Sequence, residues 1–395
     1  MSSQTKVIIV GAGIAGPVLG MFLKSKGYHV VIYERIKRDS DGGLSLMVQQ
    51  NGLRVLSLIP GIVDKLPGKQ LKRMSFLSTV PGDEGVISEV DKEGGIGVGV
   101  RRHEFLALLQ QSALDKGVEI HWEHKVVDVQ TQPDSALVTL ESGQTDTASF
   151  VVGCDGLHSN TRICLFGEEK AAFTGLTQIG GFTTLKEPLT EVPAIVNFFG
   201  DGAHMITYPV GNDKYSWAIS RQEYETKEAW RTVDDSMMNN IRNDACSQWG
   251  FGASTLIKNT EKVVKYGLYD RPELKTWYKG RVVLLGDAAH PTSPHLGQGA
   301  NQAFEDIYCL IRSMVKHNPE ALALSTEALT AIFQEYEHDR IARSAAMVKG
   351  ARKMGESRVV VGHEASIARN NALRPHVTSG TQWLNFVVAA WLGGI

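Results

Sequence analysis

The feature that most constrains the fold of this chain is a glycine turn between an apolar run and an amphipathic segment. Residues 7–10 form the apolar run, and a second run, residues 30–33, ends at the acidic residue Glu34. The glycines of the intervening GxGxxG pattern are Gly11, Gly13 and Gly16. The order of strand, glycines, helix and acid is much more specific than the glycines alone.

Each part of this pattern has a separate physical role. The first glycine allows a tight turn, the second lets a pyrophosphate approach the backbone, and the third lets the helix lie close to the sheet. The helix start directs free N–H groups at the phosphates, and Glu34 lies where an acid binds ribose hydroxyls. The pattern predicts a dinucleotide-binding unit, with a plain glycine turn in an α/β protein as the alternative.

Composition narrows the possible partners. The chain has 395 residues, enough for about two or three domains, and its net charge of −2 without a basic run gives no reason to expect nucleic acid. Its four cysteines are widely spaced and form no CxxC or Cys/His cluster, so we expect neither a metal site nor a disulfide scaffold. They are Cys154, Cys164, Cys246 and Cys309. A reducing, cytoplasmic location fits this cysteine usage.

The two ends of the chain differ in character. Residues 1–6 leave no room for a cleavable leader before the first predicted strand. Residues 383–392 are apolar but shorter than the ~20 residues that span a bilayer. We expect the protein to be a monomer or homodimer and this segment to lie against the core or against a partner subunit. Docking on a membrane surface is the less favoured alternative.

Hydrophobic periodicity predicts an α/β protein whose sheet domain is interrupted. Residues 101–117 have the spacing of an amphipathic helix, and short strands are predicted around 118–121, 126–129, 136–141 and 149–152. Residues 176–265 alternate as in an antiparallel sheet and include a helical stretch over 223–249. A buried strand at 281–285, a long helix from about Gly299 and a mostly helical stretch over 326–370 follow.

Two further motifs come directly after predicted strands. Residues 155–162 read DGLHSNTR, and residues 286–291 read GDAAHP. The second is followed by PHLGQGANQA at 294–303. Together with the glycine turn, these motifs resemble the class A flavoprotein monooxygenases, single-component FAD enzymes typified by para-hydroxybenzoate and salicylate hydroxylases. The resemblance covers roughly residues 5 to 345.

The resemblance implies a Rossmann-like FAD-binding domain of the GR2 type with an inserted mixed or antiparallel-sheet substrate domain and a C-terminal helical segment. The FAD domain would comprise 1–70, 97–175 and 266–345, the substrate domain 71–96 and 176–265, and the helical segment 346–395. We expect the substrate pocket to be formed by the two substrate-domain segments.

The resemblance also assigns residues to FAD. They are Gly11, Gly13, Ala15, Gly16, Glu34, Arg35, Gly43, Arg102, Val126, Asp155, Asp287, Gly297, Gly299, Ala300 and Asn301. The carboxylate of Asp287 would accept the ribityl O3′ hydroxyl, or cap the next helix. The 297–301 loop would face the flavin N1–C2=O edge, where a helix N-terminus stabilises negative charge. Arg102 would lie near the ribityl chain and pyrophosphate, unless it is a solvated helix-start arginine.

The remaining assignments have structural alternatives. The backbone of Val126 would meet the adenine, although its side chain could simply be core. Asp155 belongs to a motif that contacts FAD and NAD(P)H in the family, or it holds the turn after its strand. Gly43 would leave space beside the flavin ring, or act as a loop breaker.

The implied reaction uses NAD(P)H and O2. No second complete GxGxxG occurs, which agrees with a family whose NAD(P)H has no dedicated domain. FAD reduced by NAD(P)H would activate dioxygen and hydroxylate, with or without decarboxylation, or epoxidise an aromatic or unsaturated small molecule. A halogenase, an oxidase or dehydrogenase of the same fold, and a non-catalytic FAD-binding protein are the alternatives. Against the first two stand the absence of a WxWxIP segment and Leu44 at the place of an oxidase arginine.

Candidate catalytic residues follow from a phenolic substrate, whose deprotonation would make the ring a better nucleophile. His295 is the first candidate base because its segment passes close to the flavin in the family; a solvent-exposed loop histidine is the alternative. Tyr208 shares the parity of His204 on one predicted strand, so both face one side. That side could line the pocket, although cross-strand packing is the more ordinary role. His290 is expected to belong to the structural turn.

Overall fold

The structure is a computed structural model that describes residues 5–38, 40, 43–224, 231–232 and 235–378. The apolar segment 383–392 and the end of the predicted helical segment, 379–395, lie outside the described residues. Within the described part, no helix combines the length and the apolarity needed to cross a bilayer.

The described helices alternate with strands in the first half of the chain and dominate residues 299–378. They are α1 Ala15–Ser25, α2 Gln50–Ser57, α3 Arg102–Asp115, α4 Asn160–Phe166, α5 Asp235–Arg242, α6 Ala253–Lys258, α7 Gly299–His317, α8 Thr326–Arg358 and α9 His363–Thr378. Short 3-10 turns occur at Val63–Lys65, Ala245–Gln248, Gly286–Ala288 and Pro294–Leu296.

The described strands form one mainly parallel sheet, one large mixed sheet and two small sheets. They are β1 Lys6–Val10, β2 His29–Tyr33, β3 Ser45–Gln49, β4 Gly68–Leu71, β5 Arg73–Ser78, β6 Gly85–Asp91, β7 Gly97–Arg101, β8 Glu119–His121, β9 Val126–Thr131, β10 Ala136–Leu140, β11 Thr145–Ala148, β12 Phe150–Gly153, β13 Ala172–Thr184, β14 Ala194–Phe199, β15 Ala203–Pro209, β16 Lys214–Gln222, β17 Arg231–Thr232, β18 Lys262–Asp270, β19 Tyr278–Lys279 and β20 Val282–Leu284.

The first large sheet has the strand order β19-β20-β12-β1-β2-β8, and only its β19–β20 pair is antiparallel among the described strands. Its central strands are continuous apolar runs because both faces are covered, and Ile8 pairs with Val151 in the fully buried centre. Parallel strands end at the same edge. The residues that follow β1, β12 and β20 are therefore neighbours, which places all three sequence motifs at the carboxyl edge of one sheet.

The second large sheet has the order β17-β18-β13-β16-β15-β14-β5-β6, with β14 and β5 parallel and the other described neighbours antiparallel. One face lies on an apolar cluster that includes Phe198, Met205 and Trp217 together with α6. The opposite face is directed at the first domain. The predicted fold class, a Rossmann-like FAD-type domain joined to a mixed sheet, is confirmed.

The C-terminal helices tie the two sheets together. α8 packs along α7 with Ile332, Phe333 and Tyr336 buried. α9 lies against β6, where the Asn370 amide donates to Asp83 Oδ2 at 2.8 Å. Both helices fall where a mostly helical stretch is predicted.

The structure contains strands that were not predicted, and it interrupts one predicted helix. β3 was not predicted; it pairs with β7 in a small sheet together with β4. The predicted helix over 223–249 is interrupted, since the described part contains β17, α5 and the 3-10 turn Ala245–Gln248. Asp244 caps the start of this 3-10 turn, because its Oδ1 accepts from the Cys246 N–H at 2.8 Å, and its carboxylate pairs with Arg221.

The domain division stays a prediction. Strands β13 and β18 run across its limits at 175/176 and 265/266, and both belong to the mixed sheet, so these two limits fall inside strands of one sheet. The four cysteines are all free thiols, and the described residues contain no group of three His, Cys, Asp or Glu side chains that could hold a metal.

Candidate active site

A cavity of about 390 Å³ lies between the carboxyl edge of the parallel sheet and the inward face of the mixed sheet. Residues of all three motif regions border it, and so does β3. Its residues from the motif regions include Gly13, Ala15, Cys154, Gly156, Asp287, Gly297, Gly299 and Ala300. The fold therefore joins the predicted nucleotide site and the predicted substrate sheet in one space.

The glycine turn has the geometry that a bound diphosphate needs. Gly11 has φ +103°, and a Cβ there would lie 2.6 Å from the carbonyl oxygen of Cys154, the residue directly after β12. A Cβ on Gly16 would lie 2.0 Å from the Gly11 carbonyl oxygen, so this glycine sets the close approach of α1 to the turn. A Cβ on Gly13 would meet nothing within 4 Å. The turn is thus packed at its first and third glycines and open at its second.

Glu34 is held next to this turn by backbone amides. Its Oε2 accepts from the Ala12 N–H at 2.7 Å and its Oε1 from the Ile36 N–H at 2.9 Å. Carboxylate oxygens keep further lone pairs for hydroxyl donors, as a ribose would require. Arg35, the neighbour of Glu34, is exposed on the outer surface.

Asp287 presents a carboxylate to the cavity. It lies in the turn Gly286–Ala288 directly after β20, and among the described residues no group donates a hydrogen bond to it. α7 begins after Gln298 without a side-chain cap, so the capping role is not observed. Burial raises the pKa of Asp287, opposed by the charges of His290 and Arg102. An accepting group without a partner is what a ribityl hydroxyl would engage.

His290 belongs to the structural turn, as predicted. Its Nε2 lies 2.6 Å from Asp306 Oδ2, which also accepts from the Gly286 N–H at 2.9 Å. Arg340 Nε donates to the other oxygen of Asp306 at 2.7 Å. These charges lower the pKa of Asp306 to about 2 despite its burial, so the carboxylate stays ionised and fixes the turn.

The 297–301 loop places the start of α7 at the cavity. Gly297 is left-handed with φ +62°, and Gly299 and Ala300 line the wall. The Asn301 side chain points away from the cavity: its Oδ1 accepts from the Gln49 N–H at 2.9 Å, and its Nδ2 donates to the Met47 carbonyl at 3.0 Å. Asn301 therefore fixes the loop on β3, leaving the free N–H groups of the helix start to face the cavity.

Arg102 lies on the cavity wall rather than in open solvent. It opens α3, and its N–H donates to the Leu44 carbonyl at 2.9 Å. Burial lowers the pKa of Arg102, while the charges of Asp287 and Glu34 oppose that shift. Gly43 has φ +83°, and a Cβ there would lie 2.8 Å from Arg102 Cδ. In this structure, Gly43 makes room for Arg102.

The DG motif is tied into the scaffold. Asp155 Oδ1 accepts from Ser159 Oγ at 2.5 Å, and its Oδ2 accepts from the Thr161 N–H and Oγ1, both at 3.0 Å. These bonds fix the start of α4, although burial still raises the pKa of Asp155. Its structural role is evident, and the nucleotide contact stays a prediction.

Two further residues near this motif contribute through the scaffold. The Val126 side chain is core, and its carbonyl accepts from Asn160 Nδ2 at 3.1 Å, so its adenine contact stays a prediction. Arg162 is buried and donates to the Ala289 carbonyl at 3.1 Å, which connects the second motif to the third.

The mixed sheet supplies the substrate end. Side chains that alternate along its strands face the cavity. They are Met74, Gln178, Ile195, Asn197, Ile206, Tyr208, Ser216, Ala218 and Tyr266. The Tyr208 hydroxyl lies 2.8 Å from Ser45 Oγ, and burial raises its pKa to about 12, so it stays a neutral phenol. His204 has the same parity but does not border the cavity; its Nε2 lies 3.2 Å from Asn197 Oδ1.

His295 lines the cavity and is buried, unlike a solvated loop histidine. Its Nδ1 lies 3.1 Å from Ser293 Oγ, whereas its Nε2 has no hydrogen-bond partner among the described residues. Burial and the charge of Arg358 lower its pKa to about 3. A neutral imidazole at this position suits hydrogen bonding better than proton uptake.

Sequence reasoning missed Arg358, the last residue of α8. It lines the cavity, and its NH1 donates to the His295 carbonyl at 2.8 Å. Arginines on a charged helix usually face solvent, so no local signal in the sequence marked this one. Gly355 contacts the His295 ring, and residues three positions apart lie on the same side of a helix, so Arg358 would be placed inward. That argument is available only once the fold is known.

Comparison with known proteins identifies the family of the chain. Residues 4–351 match the family model described as FAD binding domain. A 6-hydroxynicotinate 3-monooxygenase of Pseudomonas fluorescens is 29% identical over 340 residues, 81% of this chain and 86% of that protein. An FAD-dependent urate hydroxylase of Mycolicibacterium vanbaalenii is 27% identical over 360 residues, 88% of this chain and 87% of that protein.

Among solved structures, Klebsiella pneumoniae HpxO complexed with FAD and uric acid matches with a TM-score of 0.82 at 22% identity, covering 100% of this chain and 99% of that one. This likeness shows the fold. The predictions of the family and of FAD with NAD(P)H as cofactors are confirmed. The chain belongs to the FAD binding domain family, within the class A flavoprotein monooxygenases.

Proposed function

We propose that this protein is an FAD- and NAD(P)H-dependent monooxygenase that uses O2 to hydroxylate, with or without decarboxylation, or to epoxidise a small aromatic or unsaturated molecule. The observation that carries the proposal is the shared cavity, in which three nucleotide-binding motifs meet a separate sheet face of apolar and neutral polar side chains. A protein that only stored FAD would not need that second wall. The relatives named for 6-hydroxynicotinate and urate point to aromatic rings as substrates.

The residues present fit FAD. The open side of Gly13 and the N-terminus of α1 would hold the pyrophosphate, and Glu34 would bind the ribose. Asp287 would accept a ribityl hydroxyl, with Arg102 nearby as the counter-charge. The start of α7 would hold the pyrimidine edge of the ring. Bound FAD, reduced by NAD(P)H, would supply the activation of O2 and the transfer of one oxygen atom.

The remaining wall orients the substrate and excludes water. Met74, Ile195 and Ile206 provide an apolar surface, which suits an aromatic ring. Tyr208 and His295 are both neutral near pH 7, so we propose that they form hydrogen bonds with a substrate hydroxyl rather than act as general bases. Whether His295 Nε2 donates or accepts depends on the tautomer, because the Ser293 hydroxyl can act toward Nδ1 as a donor or as an acceptor.

The protein would act in the cytoplasm as a monomer or homodimer, with O2 and the small molecule as its reaction partners. Size-exclusion chromatography with light scattering separates the two oligomeric states.

The experiment that tests the function uses purified holoenzyme. Oxidation of NADH and NADPH is followed together with O2 uptake while small aromatic compounds are screened. We expect at least one compound to stimulate both and to yield a product that carries one atom from isotopically labelled O2. A protein that contains no FAD and takes up none when FAD is added would refute the proposal. So would stimulated oxidation that releases only hydrogen peroxide with every compound.

A further inference from the structure

The substrate end of the cavity contains a buried cation without a carboxylate partner. Arg358 is 7% exposed, and its NH1 donates to the His295 carbonyl at 2.8 Å. No Asp or Glu among the described residues forms an ion pair with it. A guanidinium has five N–H donors, so most of its hydrogen-bonding capacity is left for whatever occupies the cavity.

The charges around the cavity make this arginine exceptional. The charged residues that line the cavity are Arg102, Asp287 and Arg358. The first two offset each other beside the nucleotide motifs, where the charge of each shifts the pKa of the other. No described acid offsets the charge of Arg358 in this way, and burial alone lowers its pKa to about 10. Removing a cation from water costs free energy unless an anion compensates it.

Two neighbours strengthen the argument. His295 Nε2 is buried beside Arg358 and has no partner among the described residues. The nearby Arg369 adds positive charge rather than a counter-ion, since its charge and that of Arg358 both lower the pKa of His204. The site thus combines a guanidinium and an imidazole nitrogen beside the apolar side chains of the wall, and no described Asp or Glu pairs with either.

We infer that the substrate is an aromatic or heteroaromatic acid whose carboxylate is bound by Arg358, with His295 Nε2 as a second polar contact. This inference rests on the proposed function and narrows its substrate class. Guanidinium binds carboxylate through paired, charge-assisted hydrogen bonds, which fix orientation as well as affinity. The ring would then lie along the apolar side chains of the mixed sheet, held by one end.

The test compares acids with neutral isosteres of the same ring. Holoenzyme is titrated with benzoate, benzamide, nicotinate and nicotinamide, and binding is followed by calorimetry and by the change in the visible flavin spectrum. Because a hydrogen bond to a charged group contributes about 1.5–3 kcal/mol, we expect each acid to bind about 10- to 150-fold more tightly than its amide.

Variants assign that preference to Arg358. Arg358→Gln keeps a donor for the His295 carbonyl and removes the charge, so acids and amides should bind about equally. Arg358→Lys should retain part of the preference, because an ammonium is a point charge without the paired geometry. Arg352→Gln is the matched control, since Arg352 lies on the same helix, is 45% exposed and pairs with Asp270 outside this cavity.

Several outcomes would overturn the inference. They are an equal affinity of wild-type protein for acids and amides, no binding of any of the four probes, and a preference that survives in Arg358→Gln. FAD content and melting temperature, measured on every variant, show whether the fold and the cofactor site are intact. A holoenzyme that oxidises NAD(P)H but lacks the acid preference refutes the role of Arg358 alone. A protein that cannot bind FAD refutes the proposed function, and this inference with it.

Discussion

Asp287→Ala separates a cofactor-binding role from a structural one. The Asp287 carboxylate faces the cavity and accepts no hydrogen bond from the described residues, so its removal breaks no hydrogen bond within the described part of the chain. Its pKa is raised on folding, mainly by burial. A carboxyl with a raised folded pKa binds its proton more tightly in the folded state, so ionisation near pH 7 costs stability. The FAD-free variant should be at least as stable as the FAD-free wild type.

The loss of the Asp287 carboxylate should weaken FAD binding alone. A hydrogen bond from a ribityl hydroxyl to an ionised carboxylate contributes about 1.5–3 kcal/mol, which corresponds to a dissociation constant raised about 10- to 150-fold. Quenching of FAD fluorescence on titration into FAD-free protein measures this constant, and urea unfolding of the same preparations measures stability.

Asp155→Ala is the matched contrast. Asp155 accepts three hydrogen bonds from Ser159 and Thr161, so its loss should lower the free energy of unfolding of the FAD-free protein by about 1–3 kcal/mol. The reasoning fails if Asp287→Ala binds FAD as tightly as wild type. It also fails if this variant unfolds at lower urea than wild type without FAD, because the carboxylate would then have a structural partner.

Three further changes probe the turn and the buried ion cluster. Gly13→Val should leave the melting temperature of FAD-free protein unchanged, because a Cβ at this position meets no atom within 4 Å. It should abolish FAD retention, because the new side chain would occupy the open side of the turn that is proposed to hold the pyrophosphate. Thermal melting and visible spectra check the two effects. Gly16→Val should lower the yield of folded protein, because its Cβ would lie 2.0 Å from the Gly11 carbonyl oxygen; normal melting would contradict this. Asp306→Asn should cost about 3–5 kcal/mol by leaving Arg340 without this partner, as urea unfolding would show. The pKa of Asp306 is lowered to about 2 in the folded state, so the ionised carboxylate stabilises the fold at pH values above its unfolded pKa. In wild type, this contribution to the free energy of unfolding is lost as pH falls from about 4 to about 2. The variant should lack this pH dependence.

Local signals in the sequence were enough for the nucleotide motifs, and they were insufficient for side chains whose partners lie far along the chain. The glycine turn could be predicted because its strand, turn and helix are contiguous, and each glycine has its own steric reason. Asn301 was grouped with the cavity loop, but its side chain is directed to Gln49 and Met47, about 250 positions earlier, on a strand that was not predicted. β3 is short and has no apolar alternation strong enough to reveal it, since it is stabilised by pairing with β7.

The same limit explains the two ends of the substrate pocket. Parity along a strand placed Tyr208 on the correct face, because side chains alternate whatever the partner strands are. Parity could not separate Tyr208 from His204, because both face the same side of the sheet. Which of the two borders the cavity depends on where the other domain covers that side. Arg358 was invisible for a related reason: its burial is a property of the packing of α8 on the Pro294–Leu296 turn.

That packing gives α8 a role in both halves of the site. Near its middle, Arg340 is buried and bonds to Asp306, which holds the turn that presents Asp287 to the cavity. Near its end, Gly355 lies so close to His295 that a Cβ would be 2.6 Å from the imidazole ring, and Arg358 donates to the carbonyl of the same histidine. Because a helix is a stiff element, a shift at one contact would be transmitted to the other. The position of the carboxylate proposed to hold the cofactor and that of the guanidinium proposed to hold the substrate are therefore set by one helix, which lies C-terminal to all three nucleotide motifs.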